Sequence, residues 1–426
     1  MNRTAFFFIL PALMLLIDWY VFQAVRTVSR SAGESTQRTI ALIYWGFTAL
    51  SLLLYVLMQY LPPDSIGKNT RTFLWAGIAI PYFSKLFAVL IIFLDDIGRL
   101  FRWIVSLFYK PEMAEAVQDT TRQNLPATDT ISRSDFLMKT ALVAGALPLG
   151  GFTWGILSGA HDYRVRRVKL ALKNLPSGFH GLTIAQISDI HSGSFFNKTA
   201  VRGGVELLLR QKPDIVFFTG DLVNSHAEEV NEFINIFDKV KAPMGVYSTL
   251  GNHDYGKYVQ WPSAQAERQN VLNVVAAHQQ LGWNILMDEN RVLDRNGDKI
   301  ALIGVQNLGF GPAALRAGNL AKAYRGAEEY PVKLLLSHDP THWDAEVRPQ
   351  YPDIDVMFSG HTHGAQFGVE FGDARWSPAQ YFYKQWAGLY EDGSQRLYVN
   401  RGYGYIGYPG RVGILPEITV FELTKA

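Results

Sequence analysis

The sequence predicts an α/β protein in which membrane-spanning helices precede a domain built on a largely parallel β-sheet. Three observations support this fold class. Long apolar segments fill much of the chain before residue 160, whereas after it short apolar runs alternate with amphipathic helical stretches. Five of the short runs also end in Asp, His or Asn, which is typical of a site at the carboxyl ends of strands.

The overall composition excludes several kinds of site. The chain has 426 residues, too many for one ordinary globular core, so two or more structural units are expected. Its net charge of +2 gives no reason to expect a nucleic acid partner. It contains no cysteine, which excludes disulfides, thiolate metal sites and a cysteine nucleophile.

Four segments are long and apolar enough to cross a bilayer, for which about 20 residues are needed. They cover 5–25, 40–61, 73–94 and 136–157. The amphipathic stretch 97–109 is interpreted as a helix lying along the membrane interface. The sequence thus predicts a transmembrane domain over 1–110, with three spans and the interfacial helix, and a linker with the fourth transmembrane helix over 111–160.

Basic residues in the loops predict the orientation of the spans, because cytoplasmic loops are enriched in Lys and Arg. The loops 26–39 and 95–135 contain more of these residues than the N-terminus and the loop 62–72. We therefore expect the first two loops in the cytoplasm. An even number of spans then places everything after residue 158 on the extracytoplasmic side.

Two charged residues, Asp18 and Lys85, lie within predicted spans, where a lone charge is energetically costly. One interpretation is that they face each other across a helix contact. The other is that Asp18 lies near a helix end. The sequence leaves both alternatives open.

Amphipathic periodicity in the second half of the chain predicts helices that alternate with short buried strands, as in a largely parallel sheet. The predicted helices cover 198–211, 227–240, 264–281 and 312–329.

Polar residues follow five of the predicted strands at the point where each strand ends. The five ends are Asp189-Ile190-His191, Gly220-Asp221, Gly251-Asn252-His253-Asp254, His338-Asp339 and Gly360-His361-Thr362-His363. Ligands bind beyond the carboxyl ends of strands in open α/β sheets, so these side chains are expected to converge. Five of the ten histidines lie in these stretches, which scattered histidines would not do.

Carboxylates, imidazoles and an amide oxygen suit divalent transition metals such as zinc, manganese and iron. The set is too large for one ion, and a carboxylate between two ions would hold them about 3.5–4 Å apart. Two such ions clamp the attacking and leaving oxygens of an in-line displacement and acidify a bridging water. The sequence therefore predicts a dinuclear metal site that hydrolyses phosphate esters.

The ordered motifs D-x-H, G-D, G-N-H-D, a lone H and G-H-T-H resemble those of the calcineurin-like metallophosphoesterase superfamily across residues 164–424. The closing segment 397–423 resembles that of the membrane-anchored bacterial branch. The resemblance implies a sandwich of two mixed β-sheets flanked by helices over 161–426. It also implies a multi-pass protein of the bacterial cytoplasmic membrane, with the metal site at one sheet edge.

The resemblance further implies a role for each residue of the motifs. The ligands of the first metal would be Asp189, His191 and His363. The ligands of the second would be Asn252, His338 and His361, with Asp221 bridging the two ions. His253 would stabilise or protonate the leaving group, and Asp254 would orient His253.

Four further residues are singled out near these motifs. Arg401 and Arg411 in the closing segment either hold substrate charge or form ion pairs at a sheet edge. Asn224 and Ala365 depart from the family, which usually has Asp and Gly there. Neither departure removes a metal ligand, so activity is still expected.

Three functions remain open on the sequence. The first is a phosphodiesterase, acting on a lipid-linked substrate if the aromatic-rich segment 375–390 forms a lip toward the membrane instead of a packed aromatic cluster. The second is a phosphomonoesterase with the same site. The third is a catalytically silent membrane module that only binds metal.

Overall fold

The computed structural model describes residues 3–62, 65–108, 133–311, 314–372 and 374–426. Most of the predicted linker, residues 111–132, lies outside the described residues. The chain divides into two compact units, Met1–Thr153 and Trp154–Ala426.

The first unit consists of long apolar helices. They are α1 (Arg3–Val28), α2 (Glu34–Tyr60), α3 (Lys68–Phe108) and α4 (Arg133–Leu157), the last of which ends inside the second unit. Each is long and apolar enough to cross a membrane, which confirms the four predicted spans.

The predicted interfacial helix over 97–109 is wrong as a separate element, because α3 runs through residues 97–108 without a break. Its 41 residues span about 60 Å at about 1.5 Å per residue, roughly twice the thickness of a hydrocarbon core. Asp95 and Asp96 both pair with Arg99 on the next turn. The polar stretch between the two apolar parts is thus satisfied within the helix.

A buried polar network joins α1, α2 and α3. Asp18 forms an ion pair with Lys85, confirming the first of the two alternatives above. The Asp18 carboxylate also accepts hydrogen bonds from Thr48 at 2.8 Å and Tyr82 at 2.5 Å. The Lys85 ammonium lies 4.9 Å from the ring centroid of Tyr44 and 4.6 Å from that of Tyr82. Both charges are therefore paired inside the helical unit.

The second unit contains two six-stranded mixed sheets and a separate hairpin. The strands of the first sheet are β1 (Arg164–Leu172), β2 (Thr183–Ile187), β3 (Ile215–Phe218), β4 (Val246–Ser248), β5 (Asn284–Ile285) and β14 (Glu417–Lys425). Those of the second are β6 (Glu289–Arg295), β7 (Asp298–Gly304), β8 (Lys333–Leu336), β9 (Val356–Ser359), β12 (Gly388–Asp392) and β13 (Gln395–Val399). The hairpin pairs β10 (Val369–Phe371) with β11 (Ala374–Trp376).

Strand order and direction place the loops that follow the central strands beside one another. The first sheet has the order β1-β14-β2-β3-β4-β5, with β2 to β5 parallel and β14 antiparallel to β2. The second has the order β12-β13-β9-β8-β7-β6, with β7, β8, β9 and β13 parallel. The Gln186 amide donates to the Ser359 carbonyl at 2.9 Å, so the carboxyl ends of β2 and β9 meet.

Apolar side chains fill three layers of the second unit. Phe217 of β3 and Phe358 of β9 stand 5.2 Å apart between the two sheets. Helices α5 (Lys198–Arg210) and α7 (Ala264–Gln280) bury Val201 and Val274 against the outer face of the first sheet. The short helix α8 (Leu320–Tyr324) and Trp343 cover the second sheet. This helix–sheet–sheet–helix arrangement confirms the predicted fold class.

Two of the four predicted helices of this unit are confirmed, as α5 and α7. The prediction of one helix over 227–240 was wrong: the region contains a 3₁₀ turn (Ala227–Val230) and the short α6 (Ile234–Phe237). Its first four buried apolar residues (Ala227, Val230, Phe233 and Ile236) recur every three positions, which suits the tighter 3₁₀ spacing, and Phe237 and Val240 are buried after them.

The predicted helix over 312–329 is wrong except for α8. Leu308 and Arg316 form an isolated antiparallel bridge, and the backbone N–H groups of Ala317 and Gly318 bond to the Asn307 carbonyl instead of to a helical partner. A side chain at position 318 would lie 2.5 Å from the Gln306 carbonyl oxygen, so glycine is required for this close approach. A last short helix, α9 (Arg348–Gln350), precedes β9.

Candidate metal centre

The seven predicted ligands converge where the strands of the two sheets end. They follow β2 (Asp189, His191), β3 (Asp221), β4 (Asn252), β8 (His338) and β9 (His361, His363). Six of them form two groups in which the ligand atoms lie within 4.8 Å of one another. The first group is Asp189, His191 and His363, and the second is Asp221, His338 and His361.

The backbone at this edge is strained. Five of the predicted ligands have a positive φ, between 48° and 73°: Asp189, His191, Asp221, His361 and His363. Residues with a side chain rarely adopt this region, which costs on the order of 1–3 kcal/mol and is concentrated at functional sites. The conformation turns the chain at once where each strand ends, so that several loops can meet in a small volume.

Two glycines permit the closest approaches between these loops. A side chain at position 251 would lie 2.2 Å from the Asp221 Oδ1 atom, and one at position 360 would lie 2.2 Å from the Asp189 Oδ2 atom. Only glycine fits such contacts. These positions explain why glycine precedes Asn252 and His361 in the motifs.

The first group presents unprotonated nitrogens and a carboxylate to a common point. The Nε2 atoms of His191 and His363 lie 3.0 Å apart, and the His363 Nε2 atom lies 3.4 Å from an Asp189 oxygen. Burial lowers the pKa of His191 to about 3 and raises the pKa of Asp189 to about 6. Two neutral imidazoles facing each other at this distance are arranged to share a cation.

The second group surrounds the Asn252 amide oxygen. That oxygen lies 2.8 Å from the His361 Nδ1 atom and 3.1 Å from the His338 Nε2 atom. The His338 Nδ1 atom lies 2.7 Å from the Thr219 carbonyl, to which it can donate, so its Nε2 atom is the one that faces Asp221 and the Asn252 oxygen. Burial alone would lower the pKa of His338, but the charge and hydrogen bond of Asp221 outweigh it and raise the pKa to about 10.

The donor set fits divalent cations. Asp189 and Asp221 are fully buried, yet within the described residues their ion-pair partners are histidines and not Lys or Arg. A buried carboxylate is stable only when a positive charge or several donors face it. Oxygen and imidazole ligands in these proportions suit manganese, zinc or iron. The two carboxylates thus face histidine nitrogens that a bound divalent cation could also engage.

His253 stands beside the two groups without joining them. Its Nδ1 atom lies 2.8 Å from the Asn224 carbonyl oxygen, and its ring stacks on Tyr258 with 4.3 Å between centroids. Its ring centroid lies 4.9 Å from that of His191. The orientation of His253 is therefore set by a backbone carbonyl and an aromatic ring.

The predicted role of Asp254 in orienting His253 stays a prediction, and the described hydrogen bonds of Asp254 go to the backbone. The Asp254 carboxylate accepts hydrogen bonds from the backbone N–H groups of Asp221, Leu222 and Gly251, each at 2.9 Å. Asp254 lies one residue further along the 3₁₀ turn His253–Tyr255, where its side chain reaches the backbone of the loop after β3. It ties the loops after β3 and β4 together.

Of the two predicted arginine roles, ion pairing describes Arg401. Its guanidinium donates to Glu417 at 2.6 Å and to Glu370 at 2.5 Å, and only 3% of the side chain is exposed. Arg411 is buried beside His363, and its Nη2 atom lies 3.0 Å from the His363 Nδ1 atom. The same Nη2 atom donates to the Arg401 and Gly404 carbonyls. The contacts of both residues are thus to the protein itself.

The two departures from the family have local consequences. The Asn224 side chain exchanges hydrogen bonds with the Ser194 hydroxyl, at 3.0 and 3.2 Å, and its carbonyl holds His253. Ala365 has φ 52°, a conformation that favours glycine. The metal-ligand groups are complete in the presence of both.

A cavity of about 300 Å³ opens beside the second group. Asn252 and His361 form its polar end, and its walls include Tyr258, Phe310, Phe382 and Tyr383. The Tyr383 hydroxyl lies 2.9 Å from the His361 Nε2 atom, and the Tyr258 hydroxyl accepts a hydrogen bond from the Asn252 amide at 2.7 Å. Sequence reasoning missed Tyr258 and included Tyr383 only within the aromatic-rich segment 375–390, without predicting its contact with His361.

A carboxylate also lines this cavity. Asp339 is buried and accepts hydrogen bonds from the backbone N–H and the hydroxyl of Thr341, at 2.9 and 2.7 Å, on one oxygen. Its other oxygen lies 3.6 Å from the His361 Nε2 atom. The cavity therefore has one negative charge close to the proposed second metal position.

Comparison with known proteins assigns both parts of the chain. The family model described as "Probable Calcineurin-like phosphoesterase, transmembrane domain" matches residues 2–160. The model described as "Calcineurin-like phosphoesterase" matches residues 182–365, which include all seven predicted ligands.

Three relatives illustrate the range of similar proteins. The uncharacterized metallophosphoesterase YkuE of Bacillus subtilis is 30% identical over 304 residues, covering 69% of this chain and 98% of the relative. A transmembrane protein with metallophosphoesterase domain from Danio rerio is 26% identical over 435 residues, covering 100% and 90%. The UDP-2,3-diacylglucosamine pyrophosphatase LpxG of Chlamydia muridarum is 26% identical over 259 residues, covering 54% and 77%.

The Bacillus relative is matched over almost its whole length, and the Danio relative shares both the helices and the α/β domain. Four membrane-length helices and an α/β domain with clustered metal-binding residues agree with these matches. The chain therefore belongs to the calcineurin-like metallophosphoesterases that carry an N-terminal transmembrane domain, and it is a metal-dependent phosphohydrolase.

Proposed function

We propose that this protein is a dinuclear phosphodiesterase that hydrolyses a lipid-linked substrate at the outer face of a bacterial cytoplasmic membrane. The position of Asp221 carries the dinuclear part of the proposal. One of its oxygens lies 3.5 Å from the His191 Nε2 atom of the first group and 3.2 Å from the His338 Nε2 atom of the second. A single carboxylate between two sets of ligands is suited to bridge two ions.

The residues divide into two metal sites and one acid. Asp189, His191 and His363 would hold one ion, and Asn252, His338 and His361 the other, with Asp221 shared. Two bound cations would polarise the phosphate and provide a hydroxide nucleophile near neutral pH. The protein's own part is to fix these ligands, through the backbone turns and the hydrogen bonds described above, before substrate arrives.

His253 is proposed as the group that assists departure of the alcohol. Its Nδ1 atom is engaged by the Asn224 carbonyl, which leaves the Nε2 atom for the leaving oxygen. Stacking on Tyr258 keeps the ring from turning away. General acid assistance of this kind contributes on the order of 10²–10⁴-fold in rate.

The cavity favours a diester over a monoester. A monoester carries close to two negative charges at neutral pH, whereas a diester carries one. Asp339 places a buried carboxylate in the cavity, which disfavours the second charge. The aromatic walls formed by Tyr258, Phe310 and Phe382 suit an esterified substituent, which a monoester has on only one side.

Two arguments support a lipid-linked substrate. The chain carries four helices able to cross a membrane, so its active domain is held close to lipid. The similar protein of Chlamydia muridarum is named for a nucleotide-linked diacylglucosamine, a molecule with acyl chains and phosphate. A substrate of this class combines a membrane location with a phosphate group that the metal ions can bind.

The location is part of the same proposal. The basic residues of the loops support a location of the catalytic domain, residues 161–426, outside the cytoplasm. It would follow a transmembrane domain over 1–110 and a linker with the fourth span over 111–160. Alkaline phosphatase fused after Leu157 should then be active in a bacterial host. An inactive fusion, together with a fluorescent cytoplasmic reporter at the same position, would reverse the orientation.

A rate comparison tests the reaction. The full-length protein, purified in detergent with manganese, should hydrolyse bis-p-nitrophenyl phosphate faster than p-nitrophenyl phosphate. His253→Ala should slow the diester. The exposed His180→Ala serves as the matched control, because His180 precedes β2, at the end of that strand opposite to Asp189.

The other outcomes distinguish the alternatives. A preference for the monoester would make the protein a phosphomonoesterase with the same site. Bound metal without turnover of any phosphate ester, lipid extracts included, would leave a silent binding module. Lipid extracts incubated with the enzyme and compared by mass spectrometry would then identify which phospholipid class is consumed.

A further inference from the structure

The second unit exposes a group of large apolar side chains close to the metal centre. We name it the aromatic tip: Val369, Phe371, Trp376, Tyr381 and Phe382. Their exposed fractions range from 41% for Trp376 to 86% for Phe371. Soluble surfaces seldom gather several such residues in one place, and where they do, the patch usually binds a partner.

The hairpin in this tip is inverted relative to an ordinary solvated hairpin. Val369 pairs with Trp376 and Phe371 pairs with Ala374, whereas Glu370 pairs with Arg375. Directly paired residues share one face, and successive residues alternate between faces. One face is therefore apolar, and the other is charged.

The charged face is the one held by the domain. Glu370 forms ion pairs with Arg401 and Arg166. Arg375 donates to the Ala387 carbonyl, and its guanidinium lies 5.5 Å from the centroid of the Trp386 ring. These contacts turn the apolar face outward, so its exposure is fixed by the structure and is not a consequence of a loose hairpin.

An outward apolar face loses the free energy that burial would provide. Covering an apolar side chain is favourable roughly in proportion to the apolar area removed from water. Phe371, Tyr381 and Phe382 are each more than two-thirds exposed, at 86%, 71% and 81%. The arrangement therefore favours a state of the protein in which something apolar covers the tip.

We infer that the aromatic tip inserts into the interfacial layer of the lipid bilayer and that Phe382 leads a lipid phosphate ester from there into the catalytic cavity. The chain carries its own membrane helices, so the bilayer is always present at high local concentration. Phe, Trp and Tyr are the residues that proteins place at the level of the lipid headgroups.

The tip continues directly into the catalytic cavity. Phe382 is 81% exposed and also lines that cavity. The next residue, Tyr383, contacts His361 through its hydroxyl at 2.9 Å. Lipid held at the tip would thus lie beside the predicted metal ligands. The inferred membrane contact does not depend on the proposed reaction, whereas the inferred path of the substrate rests on the proposed function.

Site-specific fluorescence tests membrane contact directly. The chain has no cysteine, so a single cysteine can be introduced and labelled with the environment-sensitive dye NBD. The test uses the full-length protein in nanodiscs that contain lipids spin-labelled near the headgroup. Labels at Phe371→Cys and Tyr381→Cys should be quenched by these lipids and shifted to shorter wavelength.

Leu272→Cys is the matched control, because Leu272 is an apolar residue that is 60% exposed on α7. Its label should not be quenched by the spin-labelled lipids. If the Phe371 label behaves like the Leu272 label, the inference fails. It also fails if the Phe371 label is shielded from aqueous iodide but not quenched by lipid, since that result assigns the tip to a protein partner.

An activity measurement tests the path into the cavity. Phe371→Asp combined with Tyr381→Asp changes two residues that do not line the cavity, so hydrolysis of water-soluble bis-p-nitrophenyl phosphate should be unchanged. Hydrolysis of dioleoylphosphatidyl-p-nitrophenol in nanodiscs should fall about tenfold or more. Equal rates of the variant and the native protein on the lipid probe would overturn the path.

The two proposals fail in different ways. If the native protein hydrolyses neither probe but the Phe371 label is quenched, the proposed function is wrong and the membrane contact stands. If both probes are hydrolysed and the label is not quenched, the membrane contact is wrong and the enzyme assignment stands.

Discussion

Two groups of buried charge occur in this protein, and they are built on opposite principles. In the helical unit, Asp18 is paired with Lys85, and both carboxylate oxygens have donors, Tyr44 and Lys85 on one and Thr48 and Tyr82 on the other. In the catalytic domain, Asp189 and Asp221 face imidazoles and backbone N–H groups, without a Lys or Arg ion pair among the described residues.

The difference separates a structural network from a site. A buried network whose donors and acceptors are all matched holds its elements in one arrangement and needs no ligand. A buried network with an excess of acceptors needs a cation to be stable. Both begin as aspartates in apolar surroundings, so the residue type alone does not distinguish them. The partners do, and these come from distant parts of the chain.

The largest effect is expected from removing the Asp221 carboxylate, which faces both groups of candidate metal ligands. Asp221→Ala should lower diester hydrolysis by roughly a thousandfold, because several kcal/mol of charge stabilisation depends on the bound metals. It should also lower the metal content after gel filtration, measured by elemental analysis. Asp238→Ala removes a partly exposed carboxylate elsewhere and should change neither. Full activity of Asp221→Ala with retained metal would refute the bridging role.

The next effect sharpens the comparison by separating metal binding from proton transfer. His253→Ala should keep its metal content and lose about 10²–10⁴-fold in rate on a diester with an alkyl leaving group. The loss should be smaller with p-nitrophenol, because that product is stable as an anion and needs little help to depart. The measurement is a set of kcat values against leaving-group pKa. Equal losses across the set would show that His253 acts by another means.

The network of Asp18 and Lys85 in the helical unit should affect stability and not catalysis. Asp18→Leu leaves Lys85 unpaired inside the helices and should destabilise the protein by about 3–5 kcal/mol. Adding Lys85→Met should restore most of that loss, because an apolar pair of similar volume replaces the ion pair. Thermal unfolding in detergent measures both. Diester kcat per folded molecule should match that of the native protein throughout.

A double variant as unstable as Asp18→Leu would show instead that the ion pair itself is needed. That outcome would place the helical network with the functional sites, in line with the usual meaning of an ionisable residue inside a membrane span.

The sequence predicted the parts of this protein that depend on local order along the chain. The strand ends carried their Asp, His and Asn residues in motifs, so convergence at Asp221 and His363 followed from strand direction alone. The apolar segments predicted the spans because each span is one continuous stretch of the chain. Contacts between distant loops were not predictable: the partners of Asp254 are backbone N–H groups, and Tyr383 reaches His361 from a loop without a motif.

The predicted element boundaries were wrong where the 3₁₀ and α-helical periodicities are hard to tell apart. Residues 227–236 bury apolar side chains at a spacing of three, which fits a 3₁₀ turn and, over a short window, an α-helix as well. The orientation of the hairpin could not be predicted either. Alternation shows that Glu370 and Phe371 face opposite ways, but not which of them faces the domain. That choice is made by Arg401, thirty-one positions further along the chain.

The smallest effect concerns the positive φ of residue 365, and it tests whether backbone strain at this position is needed by the metal centre. Ala365 has φ 52°, as do nearby ligands, but it contributes no ligand atom. The left-handed conformation costs an alanine about 1–2 kcal/mol, and glycine's greater freedom in the unfolded chain returns part of that difference. Ala365→Gly should therefore raise the free energy of unfolding by about 0.5–1 kcal/mol, measured by thermal unfolding, with unchanged diester kcat.

Ala277→Gly, in the C-terminal part of α7, is the matched control and should lower stability by about 1 kcal/mol, because glycine is the less favourable residue in a helix. If Ala365→Gly is more stable but less active, the strain at position 365 holds His363 in place and belongs to the metal centre. If it is more stable and equally active, strain is needed only at the ligands themselves. The strained edge would then consist of residues that bind metal and a neighbour that merely follows their turn.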